Sequence, residues 1–252
     1  MAELIQIPAG DGIADAFVAR PAETPTGGVL FFMDAIGLRP RIAEMVDLIA
    51  SWGYLVLAPH VFYRAGSAAD LEPKVDLRDP EVRSTYFQNA GLGGFIAALT
   101  PERVAADTEA YVSTLQRLLT EAGAPDARLG ATGYCMGARL STMAAGQFPG
   151  RIVAVGGFHG AGLVTDDPRS PHRGLTAQTE YLYGHADNDP SMTPQQAAEL
   201  EQALAAAGAT YTAAIYPDAP HGYTMNDTAS WHAPSYERHV VELKALFERT
   251  LG

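Results

Sequence analysis

The chain has 252 residues, 47% hydrophobic and 18% charged, with 25 Gly and 17 Pro, a composition that folds as a globular domain with many tight turns and excludes a disordered chain. A formal net charge of −12 with only 17 Lys and Arg argues against a nucleic-acid partner, because phosphate binding depends on clustered cationic side chains. No apolar run approaches the roughly 18 residues of a membrane span, and the start Met-Ala-Glu-Leu-Ile-Gln lacks the basic and apolar regions of a signal peptide, so neither a membrane nor export is implied.

The length suits one α/β domain over residues 1–252. Ile5 to Pro8 and Ala14 to Ala19 flank the turn Ala-Gly-Asp-Gly and predict an antiparallel opening pair. Val29 to Phe32 and Tyr54 to Ala58 read as buried strands separated by a helix from about Arg41 to Trp52. From Tyr63 to about Thr100 the residues mix without period, which predicts a surface excursion with a short helix, the kind of insertion that shapes a binding mouth. Pro101 to Glu121 opens as a helix with Pro and an acidic first turn, and Leu129 to Thr132 reads as a strand. A helix from Ala138 to Gln147 follows, then strands at Ile152 to Phe158, Thr179 to Tyr183 and Tyr211 to Tyr216. Helices from about Pro194 to Ala207 and Pro234 to Thr250 come after the last two. This alternation predicts an α/β fold, a mostly parallel central sheet with helices on both faces.

Between a predicted strand and a predicted helix stands Gly133-Tyr134-Cys135-Met136-Gly137, the context of a G-x-nucleophile-x-G elbow with cysteine in place of serine. The sharp turn strains the backbone of the nucleophile, and flanking side chains would collide with the neighbouring strand and helix, so both flanks favour glycine. A helix start favours thiolate over thiol, and the Met136 amide would face the oxyanion of a tetrahedral intermediate. A lone cysteine is more often an inert core residue, and it is the elbow that argues for a nucleophile here. With no second cysteine a disulfide is ruled out, which fits a reducing cytoplasm.

In such a fold an acid and a histidine follow the nucleophile in that order. Tyr181-Leu-Tyr-Gly-His-Ala-Asp187-Asn-Asp189 puts carboxylates just after a strand, and Tyr216-Pro-Asp-Ala-Pro-His221-Gly does the same for an imidazole. His221 would take the thiol proton and later protonate the leaving oxygen, while an aspartate fixes its tautomer. Asp187, nearer the predicted strand end, is the expected partner and Asp189 the fallback. His60 and His159 end other strands, where both can line the pocket, whereas His172, His232 and His239 read as solvent-side or helix-face residues. His185, Asp187 and Asp189 lack the ligand spacing of a metal site.

Val29-Leu-Phe-Phe-Met-Asp-Ala-Ile-Gly, Trp52-Gly-Tyr-Leu-Val-Leu-Ala-Pro with Tyr63-Arg64, Gly-Tyr-Cys-Met-Gly, Gly184-His-Ala-Asp187 and His221-Gly-Tyr together resemble the dienelactone hydrolases (carboxymethylenebutenolidases), over nearly the whole chain. The resemblance implies an α/β-hydrolase with a Cys135, His221 and Asp187 triad, an oxyanion hole from the amides of Met136 and Ala35, a small-molecule enol-lactone or ester substrate, and no cofactor. Asp34 stands where the family's typical enzyme has a glutamate that contacts the cysteine, and Met225 where it has a substrate-binding arginine. Asp34 is therefore a candidate catalytic residue that contacts the thiol and controls its activation, its plainer reading being a turn-capping aspartate bonded to backbone amides, and Arg83 and Tyr86 are candidate substitute anchors. The alternatives are a general carboxylesterase or thioesterase with an apolar pocket of Phe32, Phe62, Tyr63, Phe87 and Phe158, or a non-catalytic binding protein on the same scaffold.

Overall fold

In the computed structural model, which describes residues Met1–Gly252, the first two strands, β1 (Glu3–Ala9) and β2 (Gly12–Ala19), pair antiparallel around the expected turn. In β2 only every second residue, Ala14, Ala16 and Val18, is fully buried before Ala19, the period-2 pattern of a half-covered strand. β3 (Gly27–Phe32) and β4 (Tyr54–Pro59) are buried throughout, as their unbroken apolar runs require of central parallel strands. With β5 (Arg128–Tyr134), β6 (Ile152–Phe158), β7 (Glu180–His185) and β8 (Tyr211–Ile215) they form one eight-stranded sheet in the order β1-β2-β4-β3-β5-β6-β7-β8. Every pairing from β4 to β8 is parallel.

Helix α1 (Pro40–Ala50) starts on a proline and buries Ile42, Met45, Val46 and Ile49, a single stripe at helical period, against β2 and β4. The predicted irregular segment contains three helices, α2 (Ala68–Leu71), α3 (Pro80–Asn89) and α4 (Leu92–Ala97). None of the residues of α3 is fully buried, so it carries no apolar stripe for a sequence pattern to reveal; its start is marked by Asp79, whose carboxylate accepts from the amides of Glu81 and Val82.

The remaining helices are α5 (Pro101–Glu121), α6 (Met136–Gln147), α7 (Pro194–Ala206) and α8 (Ala233–Leu251). Successive glycines show which face each covers. A Cβ on Gly27 would meet Leu251 of α8, while one on Gly28 would meet Leu115 and Leu119 of α5. Likewise Gly156 faces Leu243 of α8 and Gly157 faces Ala138 of α6. Helices thus cover both faces, and 63 buried residues form one core cluster. Outside residues 63–100, elements fall where expected to within a few residues, with one consequential shift: β7 runs to His185, two residues past its predicted end at Tyr183.

The sheet's carboxyl edge is where the backbone is strained. All four non-glycine residues with positive φ, Cys135, His159, Asn188 and Asp218, lie just beyond β5, β6, β7 and β8 in turn. Such strain persists where surrounding contacts over-determine it, and it concentrates at functional sites.

Candidate active site

Cys135 joins β5 to α6 with φ 55° and ψ −119°. Its amide donates to the Phe158 carbonyl, and its own carbonyl accepts from the amides of Ala138 and Ala161, all at 3.1 Å. The two elbow glycines are required by contact. A Cβ on Gly133 would lie 2.0 Å from the Gly137 carbonyl oxygen, and one on Gly137 would lie 2.2 Å from that of Phe32. The α6 start is thereby pressed against β3. As the first residue of the helix, Met136 has an amide with no carbonyl to bond within it. The Ala35 amide, after β3, has no acceptor in the chain, and Ala35 lines the same cavity as Cys135.

His221, in the loop after β8, lines that cavity too. Its Nδ1 lies 2.6 Å from Oδ2 of Asp189, whose side chain is fully shielded from solvent and whose Oδ1 accepts from the Ser191 amide at 2.8 Å. Burial works to lower the His221 pKa, but the hydrogen bond to Asp189 and the neighbouring Cys135 outweigh it and raise it to about 10. Burial works in the opposite sense on Asp189, and there the His221 hydrogen bond and charge hold the carboxyl below its ordinary value.

The expected partner Asp187 is not bonded to His221. Its carboxylate accepts from the Asp218 amide at 3.1 Å and its own amide donates to the Ala219 carbonyl at 2.7 Å, so it ties the two loops together. The physical reason is the longer strand. With β7 ending at His185, the loop position expected to carry the acid moves on by two residues, and the positive-φ turn at Asn188 leaves Asp189 buried and facing the imidazole.

Asp34 caps its own turn, and does not make the contact with the thiol expected of a catalytic residue. It lines the cavity, yet both its oxygens belong to Arg39, Oδ1 accepting from Nη1 at 2.7 Å and Oδ2 from Nη2 at 3.0 Å, and Oδ1 also accepts from the Ile36 amide at 3.1 Å. A carboxylate one methylene shorter than glutamate is held by its own turn and by the planar fork five residues on. No hydrogen bond joins it to Cys135.

His159 is buried beside the site. Its ring lies 5.3 Å from that of His221 at 69°, and its Nε2 is 2.8 Å from Thr224 Oγ1. Burial, reinforced by the charges of His221 and His239, pushes its pKa well below the ordinary value and keeps it neutral. Arg83, on α3, lines the cavity and stacks over Phe87 at 4.8 Å; its Nε is buried without a partner, and no carboxylate pairs with it. Tyr86 is half-buried on the same helix but not among the lining residues. Tyr63 is elsewhere, its hydroxyl bonded to Asp11 and Asp107.

The cavity itself measures about 50 Å³. Of the aromatic residues expected to line an apolar pocket, only Phe87 does so; Phe32 and Phe158 are core, and Phe62 borders a separate space of about 260 Å³ with Phe95 and Leu99. His172 and His239, expected on the solvent side or a helix face, are buried and bonded to Ser170 and Tyr134, and His60, expected to line the pocket, is buried against Phe62 and outside it. His159, Ile36, Gly222, Met225 and Thr228 complete the lining, Thr228 without any sequence signal of its own, and no three His, Cys, Asp or Glu side chains converge as a metal site. What the arrangement offers chemically is a thiol, an oriented imidazole and two unengaged amides around one small space.

The model of the dienelactone hydrolase family matches residues 14–251. A protein of Escherichia coli (strain K12) named as a carboxymethylenebutenolidase is 29% identical over 248 residues, covering 94% of this chain and 83% of its own. One of Methylorubrum extorquens with the same name is 27% identical, covering 91% and 74%. Among solved structures, a chain from Klebsiella pneumoniae described as a dienelactone hydrolase superposes with a TM-score of 0.78 at 22% identity, over 99% of this chain and 98% of that one, a likeness of fold. No helix is long and apolar enough to cross a membrane.

Proposed function

The chain belongs to the dienelactone hydrolase family and is an ester or lactone hydrolase, and from that premise we propose that it works through a covalent acyl-cysteine formed on Cys135 with His221 and Asp189. The observation that carries this reading is the hydrogen bond of the buried Asp189 carboxylate to the His221 ring, on the same small cavity that Cys135 lines at the strained elbow.

The thiolate sulfur of Cys135 attacks the carbonyl carbon while His221 holds the proton. The carbonyl electrons move to oxygen, and that oxyanion meets the amides of Met136 and Ala35. Collapse breaks the bond to the alkoxy oxygen, which takes the proton from His221 as it leaves. Water then gives a proton to His221 and attacks the thioester, and the thiolate departs as the acid product is released. Asp189 holds the ring tautomer and faces the imidazolium charge throughout.

The 50 Å³ cavity accepts the reacting end of a small substrate, with the rest directed along α3. Arg83, whose guanidinium has no carboxylate partner, is suited to a substrate carrying its own carboxylate, as in a dienelactone or a related acidic ester. Intact-mass spectrometry after mixing with a p-nitrophenyl ester tests the mechanism: an acyl adduct confined to Cys135, absent with the turnover in Cys135→Ala, is expected. Full turnover in Cys135→Ala would remove the basis of the proposal.

A further inference from the structure

We propose that Arg39 is a positioning residue that aims the Ala35 amide, by clasping the turn that carries it to the segment that follows His221. The inference rests on the role given above to that amide and concerns how the fold keeps it in place.

A guanidinium has five N–H groups, and in Arg39 each finds an acceptor. Nη1 donates to Asp34 Oδ1 at 2.7 Å and to the Gly37 carbonyl at 3.0 Å. Nη2 donates to Asp34 Oδ2 at 3.0 Å and to Asp227 Oδ1 at 3.4 Å, and Nε to Asp227 Oδ2 at 2.5 Å. Only 3% of the Arg39 side chain is exposed. One residue thus bonds both ends of the 34–37 turn, at Asp34 and Gly37, and also Asp227, 188 positions away.

The turn itself is short and closed. Asp34 accepts from the Ile36 amide through its carboxylate and from the Gly37 amide through its carbonyl at 3.2 Å. Of the amides at 35, 36 and 37, only that of Ala35 is left without an acceptor. Its direction is therefore set by the plane of a turn that Arg39 grips on two sides. The other end of the clasp is anchored by turns closing Gly222 to Met225 and Met225 to Thr228, and by Arg41, whose Nη2 donates to the Thr224 carbonyl at 2.7 Å. An ordinary structural ion pair would bridge two elements without choosing the one turn in which the residue with the free amide, Ala35, lines the cavity.

The two halves of the clasp differ in access. Asp34 is buried with Arg39, whereas the Asp227 side chain is 31% exposed, on a polar cleft of about 470 Å³ shared with Arg41, Arg78 and Asn226. Asp227→Asn can loosen the outer half while leaving the inner ion pair intact, and Arg39→Met releases both.

The experiment compares turnover of a p-nitrophenyl ester with iodoacetamide alkylation of Cys135 in Arg39→Met, Arg39→Lys and Asp227→Asn, at concentrations of folded protein fixed by near-UV circular dichroism. A lost oxyanion donor costs about 10²–10³-fold in kcat, so kcat should fall by about 10²-fold in Arg39→Met and by a smaller factor in Asp227→Asn, with KM nearly unchanged. Lysine brings the charge without the fork, so Arg39→Lys should recover the fold but not the rate. Alkylation, which needs only thiol and imidazole, should proceed at the wild-type rate in all three. Wild-type kcat in folded Asp227→Asn and Arg39→Lys, or alkylation slowing in step with kcat, would overturn the proposal while leaving the Cys135 mechanism, tested separately by its own variant, untouched.

Discussion

Asp189 Oδ2 lies 2.6 Å from Nδ1 of His221, while Asp187, two residues earlier, is bonded to the amide of Asp218. Asp189→Asn should therefore lower turnover by several orders of magnitude, about 10⁴-fold on the analogy of a serine triad in which the amide favours the wrong ring tautomer. Asp187→Asn should lose far less, through a looser loop. Steady-state kinetics of the two variants decides between them, and the reverse ranking would reinstate Asp187.

The pH dependence of stability should carry the signature of His221. Its pKa in the folded protein, about 10, lies above the ordinary 6.5, so protonation favours folding. That contribution is complete below about 6.5, declines as pH rises and is gone above about 10. Wild-type Tm should fall across this window more steeply than that of His221→Gln. Parallel Tm curves for the two proteins would contradict the assignment.

Asp34 should behave as a structural ion-pair partner. Asp34→Ala strips the inner half of a buried pair, a change that costs about 3–5 kcal/mol; because Arg39 keeps Asp227, the lower end is expected in urea unfolding. The pH midpoint of Cys135 alkylation should stay where it is in the wild type. A displaced midpoint would restore the direct contact with the thiol that the sequence suggested.

Among the glycines, Gly133 and Gly93 make a matched comparison. Gly133→Ala would drive a methyl into the backbone of Gly137 at 2.0 Å, where nothing can swing aside, so no folded protein should be recovered. Gly93, within α4, has no atom within 4 Å of its would-be Cβ and no positive φ. Gly93→Ala should be neutral or gain up to about 1 kcal/mol from helix propensity, as thermal unfolding can measure.

Arg83→Gln separates substrates by charge. Removing a guanidinium with no carboxylate partner breaks no salt bridge in the protein, so Tm should hold. For esters bearing a carboxylate, kcat/KM should fall by roughly 10- to 100-fold, the worth of one charge-assisted hydrogen bond of about 1.5–3 kcal/mol, and for neutral esters of equal size it should change little. Equal losses on both would argue that Arg83 shapes the cavity without reading charge.

Outside residues 63–100, the sequence by itself determined the order of strands and helices, the elbow at Cys135 and the placing of His221 after the last strand. These depend on local causes: apolar period, chain order, and glycines at positions where a Cβ has no room. It pointed to Asp187 ahead of Asp189, because it could not show the strand end two residues later that decides which carboxylate is turned inward. Nor could it give Asp34 to Arg39, tie Arg39 to Asp227 across 188 positions, or move Tyr63 out to Asp11 and Asp107. Direction of a side chain is not encoded in spacing along the chain; it follows from which loops the sheet brings together, and a short aspartate takes whichever donor packing sets within its reach.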